Sequence, residues 1–390
     1  MQSFISPDNN IVLLFIVFGA AAFGIYSEHK KWFGKVSGIL VTMISMSVLS
    51  MSGIIPVASN PNIKVDVYTM VFSYFIPVAI PLMLFSSNLI KIITESGRLL
   101  TAFIIGAIGI VLGSFLAFSL IDLGEGSGNT AGVIAATLIG GSVNFVATAE
   151  ILNFSTNPLF TATVAIDNFA ANIYVLLLFI VPTIGFLSRF FKKTKNDSAE
   201  VNNIELEAEI KNPITLERIA VSATIAVLVA ASGTVLSPVV EQVFHTKLNL
   251  SILLITILAV AVANLFPKSL KKLEETAFKL GLWMMYIFLA VIGAASNLQD
   301  MLHVGLPVLG FYLIIMFFHF FFLLFLARLF KLDVYEVVVS SAANIMGPSV
   351  AAPMAASLGQ KKMVTPAVLV GILGYVIGTF IGVSIAMYLS

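Results

Sequence analysis

The sequence predicts an all-α polytopic membrane protein made of two inverted repeats, and three observations lead to this fold class. Of its 390 residues, 59% are hydrophobic and 11% are charged, whereas soluble domains average about 25% charged residues. Apolar runs long enough to cross a bilayer recur along the whole chain. Each half also contains one apolar segment that is interrupted near its middle by glycine and small polar residues.

The apolar runs predict about ten membrane-spanning helices, five in each half, because a span needs roughly 20 apolar residues. We therefore expect a multi-pass protein of the cytoplasmic membrane, surrounded by the lipid bilayer. The first run has no basic residue before it, so we interpret it as a retained span rather than a signal peptide. The runs cover residues 11–27, 38–57, 67–87, 99–121, 159–182, 219–240, 249–266, 277–296, 304–327 and 363–389.

A polar stretch divides the chain near its centre, and we interpret residues 191–216 as a cytoplasmic linker. Residues 1–190 then form the first repeat, with a broken segment at 131–153. Residues 217–390 form the second repeat, with a broken segment at 337–358. Residues 135–179 align with 339–383 without a gap, and both halves show the same order of spans and break. That shared order is the main argument for a repeat.

The basic residues favour one topology, because Lys and Arg concentrate in cytoplasmic loops. If both broken segments re-enter the membrane, both termini lie outside and nearly all of the 21 Lys and Arg lie inside. Lys64 and Lys247 are then the exceptions. If both segments cross instead, most of the basic residues fall outside, unless one further crossing lies near the linker. We expect re-entrant segments and keep the crossing models as alternatives.

The two breaks contain the candidate substrate-binding residues. Where a helix is unwound within the membrane, its backbone N–H and C=O groups must form hydrogen bonds with other parts of the protein or must line a water-filled cavity. Such a cavity offers carbonyl groups to a cation and helix N-termini to an anion. Close packing through small residues is the alternative explanation of these glycines. The candidates are Gly141, Ser142, Asn144, Thr148, Asn344, Gly347 and Ser349.

Asp167 and Asn168 are the candidate ion-coupling residues. They lie about 12 Å into the span after the first break, at the 1.5 Å rise of a helix. A carboxylate at that depth costs free energy, and such residues usually have a function. We therefore expect Asp167 to bind Na⁺ or a proton. The alternative is a structural acid bonded to backbone or Asn172. We interpret Glu150 either as a gating residue or as a side chain that reaches the lipid headgroups. We expect His319 to form a hydrogen bond with a neighbouring helix.

Composition excludes several other functions. A net charge of +1 gives no field to recruit nucleic acid, and the absence of cysteine removes disulfides and thiolate chemistry. The four histidines form no His-x-x-x-His pair, so we expect no metal other than Na⁺ at Asp167. The chain has no nucleotide-binding loop and no hydrolase motif, so we expect no enzyme and no other cofactor. An ion gradient is then the expected source of energy.

Four motifs resemble the membrane family called domain of unknown function 819, over nearly the whole chain. They are Gly140-Gly141-Ser142-Val143-Asn144, Ala165-Ile166-Asp167-Asn168, Ala343-Asn344-Ile345-Met346-Gly347-Pro348 and the glycine-rich stretch from Gly371 to Thr379. That family is grouped with cation/proton antiporters, bile-acid/sodium symporters and glutamate/sodium symporters. The resemblance implies a core domain that moves against a scaffold domain in an elevator-like cycle, and by analogy a homodimer.

The sequence departs from these relatives at two places. In Asp167-Asn168 the acid is the first residue of the pair, whereas in the antiporters it is the second. In the broken segment of the second half, Asn-Ile-Met-Gly-Pro stands where the glutamate symporters have a pair of glycines. The expected function is an ion-coupled symporter, driven by Na⁺ or H⁺, for a small organic anion, amino acid or short peptide. A monovalent cation/proton antiporter is the alternative, and a non-transporting membrane scaffold is the third hypothesis.

Overall fold

The computed structural model describes residues 3–33, 38–58, 64–155, 157–184, 213–243, 250–295 and 298–390. All regular secondary structure within these ranges is helical. Most of the predicted linker, residues 191–212, lies outside the described residues.

The first half contains α1 (Asn10–Lys30), α2 (Gly38–Met51), α3 (Asp66–Met83), α4 (Leu89–Glu95), α5 (Gly97–Leu120), α6 (Ser127–Gly140), α7 (Ser142–Ile151) and α8 (Pro158–Ile180). The second half contains α9 (Leu216–Val243), α10 (Ser251–Leu265), α11 (Pro267–Lys271), α12 (Glu274–Ala295), α13 (Leu298–Leu329), α14 (Val334–Met346), α15 (Pro348–Ser357) and α16 (Val364–Leu389). Helix α3 includes a π-helical turn at Val71–Phe75.

Seven helices of the described chain are long and apolar enough to cross a membrane: α1, α3, α5, α9, α12, α13 and α16. Helices α2, α8 and α10 coincide with the other apolar runs of the sequence. The prediction of a multi-pass helical membrane protein is therefore confirmed at this level.

The helices form two bundles, defined by which helices pack together. Bundle A contains α1, α2, α3, α9, α10 and α12. Bundle B contains α5, α6, α7, α8, α13, α14, α15 and α16. Each bundle takes spans from both halves of the chain, so neither half folds as a separate body. The short helix α4 connects the bundles, and Asn264 of α10 accepts a hydrogen bond from its first backbone N–H, that of Leu89, at 2.8 Å.

Close packing of α6 against α16 organises bundle B. The two helices run antiparallel, with Gly128 against Leu389 near one end and Gly140 against Gly374 near the middle. Gly132 lies directly on Gly382 between these points. Small residues let helix backbones approach closely in a membrane, where dispersion contacts rather than the hydrophobic effect hold helices together.

The first broken segment, α6–α7, enters and leaves bundle B at the same end. Gly126, just before α6, packs against Asn157 and Phe154, which follow α7. The end of α16 also lies there, because Gly128 packs against Leu389. The segment therefore turns back at its break.

The second broken segment, α14–α15, does the same from the opposite end. The side chain of Glu336, in the first turn of α14, pairs with Arg98 at the start of α5 at 2.7 Å. Leu100, also at the start of α5, packs in the same apolar cluster as Leu369 near the start of α16. Since α15 leads through a short turn into α16, both ends of this segment lie near the start of α5.

Candidate functional site

Each broken segment turns at one glycine with the same unusual backbone. Gly141 has φ 78° and ψ −176°, and Gly347 has φ 71° and ψ −165°. This region of φ/ψ space is essentially restricted to glycine. The gap-free alignment of the two halves would place Gly141 opposite Ile345, so that alignment is out of register with the observed breaks. The next long helices, which begin at Pro158 and Val364, follow their glycines at equal distances.

The two breaks meet at one aromatic side chain of α16. A methyl group added to Gly347 would lie 3.1 Å from the hydroxyl oxygen of Tyr375. One added to Gly141 would lie 3.7 Å from Cε1 of the same ring and 3.9 Å from the backbone of Met346. Tyr375 is about 17 Å from the first residue of α16 at the 1.5 Å rise of a helix, near the middle of this span. Tyr375 is not among the candidates predicted from the sequence, although it lies within a glycine-rich motif.

Asn144, which is predicted to bind substrate, forms hydrogen bonds within the protein. Its Nδ2 donates to the carbonyl of Gly374 at 2.8 Å, and its Oδ1 accepts from the hydroxyl of Thr379 at 2.8 Å. Asn144 therefore attaches α7 to α16, and both of its polar atoms are engaged. Thr148, one turn further along α7, is buried, and its hydroxyl has no hydrogen-bond partner among the described residues.

The candidates of the second break are arranged differently. Asn344 is buried, and its Nδ2 makes only a long hydrogen bond, of 3.4 Å, to the carbonyl of Phe103. Its Oδ1 lies against Gly106 and has no partner in the described part of the chain. The side chain of Ser349 lies outside the described residues, whereas Ser142 at the first break is half-buried.

Asp167 is buried in bundle B and accepts hydrogen bonds from two other helices. The hydroxyl of Thr137 donates to both carboxylate oxygens, at 3.2 and 3.3 Å, and the hydroxyl of Tyr312 donates to one of them. The carbonyl of Thr137 also accepts the N–H of Gly141 at 2.5 Å, so one residue connects the acid to the first break. The side chain of Asn168 lies outside the described residues.

A second hydrogen-bonded chain lies further along the same helices. The carbonyl of Gly106 can only accept, so Nδ1 of His319, at 2.8 Å, carries the proton. Nε2 of the neutral ring then accepts from the hydroxyl of Ser341 at 2.9 Å, and Tyr174 donates to Ser341 at 2.7 Å. As expected from the sequence, His319 bonds neighbouring helices.

The remaining candidates lie away from the breaks. Glu150 is half-buried near the end of α7. No cluster of His, Asp and Glu that could hold a metal ion occurs within the described ranges. A single acid such as Asp167 could hold Na⁺ together with hydroxyl or carbonyl oxygens.

Fold and site together define a multi-pass membrane protein, helical throughout the described ranges, with two broken segments that meet inside one bundle. A family model described as "Protein of unknown function (DUF819)" matches residues 15–390, and the chain belongs to that family. It is 34% identical over 403 residues to the "Uncharacterized membrane protein YjcL" of Bacillus subtilis (strain 168), covering 100% of this chain and 99% of that protein.

Proposed function

We propose that the protein is an ion-coupled secondary transporter of a small organic anion, amino acid or short peptide. The observation that carries this proposal is the meeting of two unwound turns, Gly141 and Gly347, on the ring of Tyr375 near mid-span. Broken helices that meet at the midplane are typical of transporters built from inverted repeats. A scaffold or receptor has no use for costly irregular backbone at that depth.

The order of the helices supports inverted repeats. In each half, three spans join bundle A, and two spans and one broken segment join bundle B. The two broken segments enter bundle B from opposite ends, as expected if the halves are inverted. We propose that bundle A is the scaffold and that bundle B is the mobile core of an elevator-like cycle.

The contact between the bundles suits such a movement. Val146 of α7 lies in one continuous apolar cluster with Ala79 of α3 and Ile255 of α10. Apolar contacts have no fixed direction, so the contact between these three residues allows one bundle to slide on the other. The short helix α4 then serves as a flexible arm between the bundles, anchored by Asn264.

Asp167 is the proposed coupling residue, binding either Na⁺ or a proton. It is the buried acid closest to the middle of a span in the described chain, because the buried Asp333 and Glu336 lie at the start of α14. Two hydroxyl groups donate hydrogen bonds to the carboxylate of Asp167. When Na⁺ binds, their oxygens become ligands of the ion. When a proton binds instead, they form hydrogen bonds with the protonated acid. Their proximity to the first break couples ion binding to the position of that break.

A cation/proton antiporter is the second candidate. It is favoured by the same site, since an acid held by Thr137 and Tyr312 alone could exchange a cation for a proton without an organic substrate. The two candidates differ in what they bind. Only the symporter requires an organic ligand whose binding depends on the ion.

The first experiment is thermal unfolding of the purified protein against Na⁺, Li⁺, pH steps, amino acids, dicarboxylates and dipeptides. A ligand that binds the folded state raises its stability, by about 2.7 kcal/mol at a hundred times the dissociation constant. Na⁺-dependent or proton-dependent stabilisation by an organic compound supports the symporter, and stabilisation by cations or pH alone supports the antiporter. Stabilisation by nothing on the panel contradicts both.

Asp167→Asn then tests coupling, with uptake into proteoliposomes as the second readout. The matched control is Asp66→Asn, because Asp66 is 68% exposed and pairs only with Lys64 at 3.5 Å. We expect the Asp167 variant to lose the ion dependence and the control to keep it. Full ion-dependent activity of Asp167→Asn would exclude the proposed coupling residue.

A further inference from the structure

The side chain of Tyr375 is buried, and its hydroxyl has no acceptor among the described residues. The side chain is 6% exposed, and the hydroxyl bonds to no residue that the structure describes. It lies beside Gly347, at the N-terminus of α15. A hydroxyl on a side chain so largely removed from solvent, with no protein acceptor, is available to donate to a ligand that brings an acceptor oxygen.

Two helix N-termini face the same place. Helices α7 and α15 each contain 10 residues, and neither has a side chain that caps its first turn. Gly141 and Gly347 are their N-cap residues, and both lie against the ring of Tyr375. The first N–H groups of a helix have no acceptor within the helix, and they carry a partial positive charge of the helix dipole. In α15 these groups begin at the second residue, because the first, Pro348, has no N–H.

The nearby amide side chains do not neutralise this positive field. The Oδ1 of Asn144 is occupied by Thr379, and the Oδ1 of Asn344 is directed toward Gly106. The buried carboxylate of Asp167 is bonded to Thr137 and Tyr312 instead. The donors at the meeting point are therefore left for a ligand.

We propose that this meeting point is an anion site, which holds a carboxylate of the transported molecule between the N-termini of α7 and α15. The hydroxyl of Tyr375 donates a hydrogen bond to one carboxylate oxygen. This inference rests on the proposed transport function and narrows the substrate to a carboxylate. It also separates two ligands: the anion lies at Tyr375, and the coupling cation lies at Asp167.

The test compares each acid with its amide, at constant Na⁺ and constant ionic strength. The probes are succinate with succinamide, alanine with alaninamide, and alanyl-alanine with its C-terminal amide. We expect at least one acid to raise the unfolding temperature at a concentration about tenfold lower than its amide, because hydrogen bonds to charged groups are stronger than neutral ones. Equal responses to every acid and its amide, or no response to any acid, overturn the anion site.

Tyr375→Phe tests the hydroxyl, because it keeps the ring that packs on both glycines. We expect the unliganded variant to unfold at an unchanged temperature and to need about tenfold more of the active acid. Tyr388→Phe is the control, since Tyr388 lies on the same helix and is 78% exposed. Unchanged acid binding by Tyr375→Phe overturns the role of Tyr375.

The same data distinguish this inference from the proposed function. Na⁺-dependent stabilisation by an amide at the same concentration as its acid would support the transporter and overturn the carboxylate site. Acid binding that persists in Asp167→Asn but no longer responds to Na⁺ or pH would support the anion site and the coupling role together. Acid binding that never depends on an ion would support the anion site and contradict ion coupling.

Discussion

Tyr312 donates a hydrogen bond to Asp167, and two turns further along the same two helices Tyr174 and His319 meet through Ser341. Both pairs are separated by 145 residues in sequence, so α8 and α13 run parallel in one constant register. The first pair binds Thr137 of one broken segment, and the second pair binds Ser341 of the other. Helices α8 and α13 thus hold both broken segments through hydroxyl groups.

Tyr312→Phe should weaken the Asp167 site without abolishing it. The carboxylate loses one donor and keeps Thr137, so we expect a loss of about 1–3 kcal/mol in unfolding free energy. Binding of the coupling ion, measured by the ion-dependent shift of the unfolding temperature, should weaken at the same time. Tyr388→Phe serves as the exposed control. Unchanged ion dependence in Tyr312→Phe would remove Tyr312 from the site.

Alanine at either break should destabilise the protein and stop transport. Gly141 and Gly347 adopt backbone angles that cost other residues about 1–3 kcal/mol, although a methyl group at Gly141 would meet nothing closer than 3.7 Å. Gly19→Ala is the control, because Gly19 lies within helix α1 and an added methyl group meets no atom within 4 Å. That variant should gain about 0.5–1 kcal/mol. Equal effects of Gly19→Ala and Gly141→Ala would contradict the backbone argument.

The breaks and the acid could be predicted because their signals are local. Glycine in an apolar segment indicates backbone that other residues avoid, and a carboxylate in a span is conspicuous wherever it lies. The partners of Asp167 could not be found in this way, since Tyr312 is 145 residues distant and is one aromatic residue among many. Packing also determines the contacts of Asn144, whose amide is predicted to bind substrate and bonds α16 in this structure.

The sequence was also unable to assign helices to bundles. It divided the chain into linear halves, and this division follows from the order of features along the sequence. Bundle membership depends on which faces pack, for example Gly132 on Gly382, and small residues of this kind occur in many of the helices. Pairing them requires the three-dimensional register.

Cysteine labelling should place the ends of each broken segment on one side of the membrane. The native chain has no cysteine, so single variants report one position each. Lys331→Cys and Lys362→Cys flank α14–α15 and should react from the same side. Glu125→Cys and Asn153→Cys flank α6–α7 and should both react from the other side. If either pair is divided between the two sides, that segment crosses the membrane and the re-entrant topology is wrong.

The direction of the hydrogen bonds at His319 predicts unequal effects of two substitutions. Tyr174 is the first donor in this series of hydrogen bonds, and its hydroxyl accepts no hydrogen bond from a described residue. Tyr174→Phe therefore leaves the hydrogen bond between Ser341 and His319 intact. We expect it to cost about 1 kcal/mol. His319→Ala leaves the carbonyl of Gly106 and the hydroxyl of Ser341 without their partner and should cost at least twice as much.

Thermal unfolding of both variants measures this difference, and His319→Asn provides the control. Asparagine can donate to the Gly106 carbonyl and accept from Ser341, so it should restore part of the lost stability. The order of stability should be Tyr174→Phe, then His319→Asn, then His319→Ala. An opposite order of the first and last variants would contradict this direction of the hydrogen bonds.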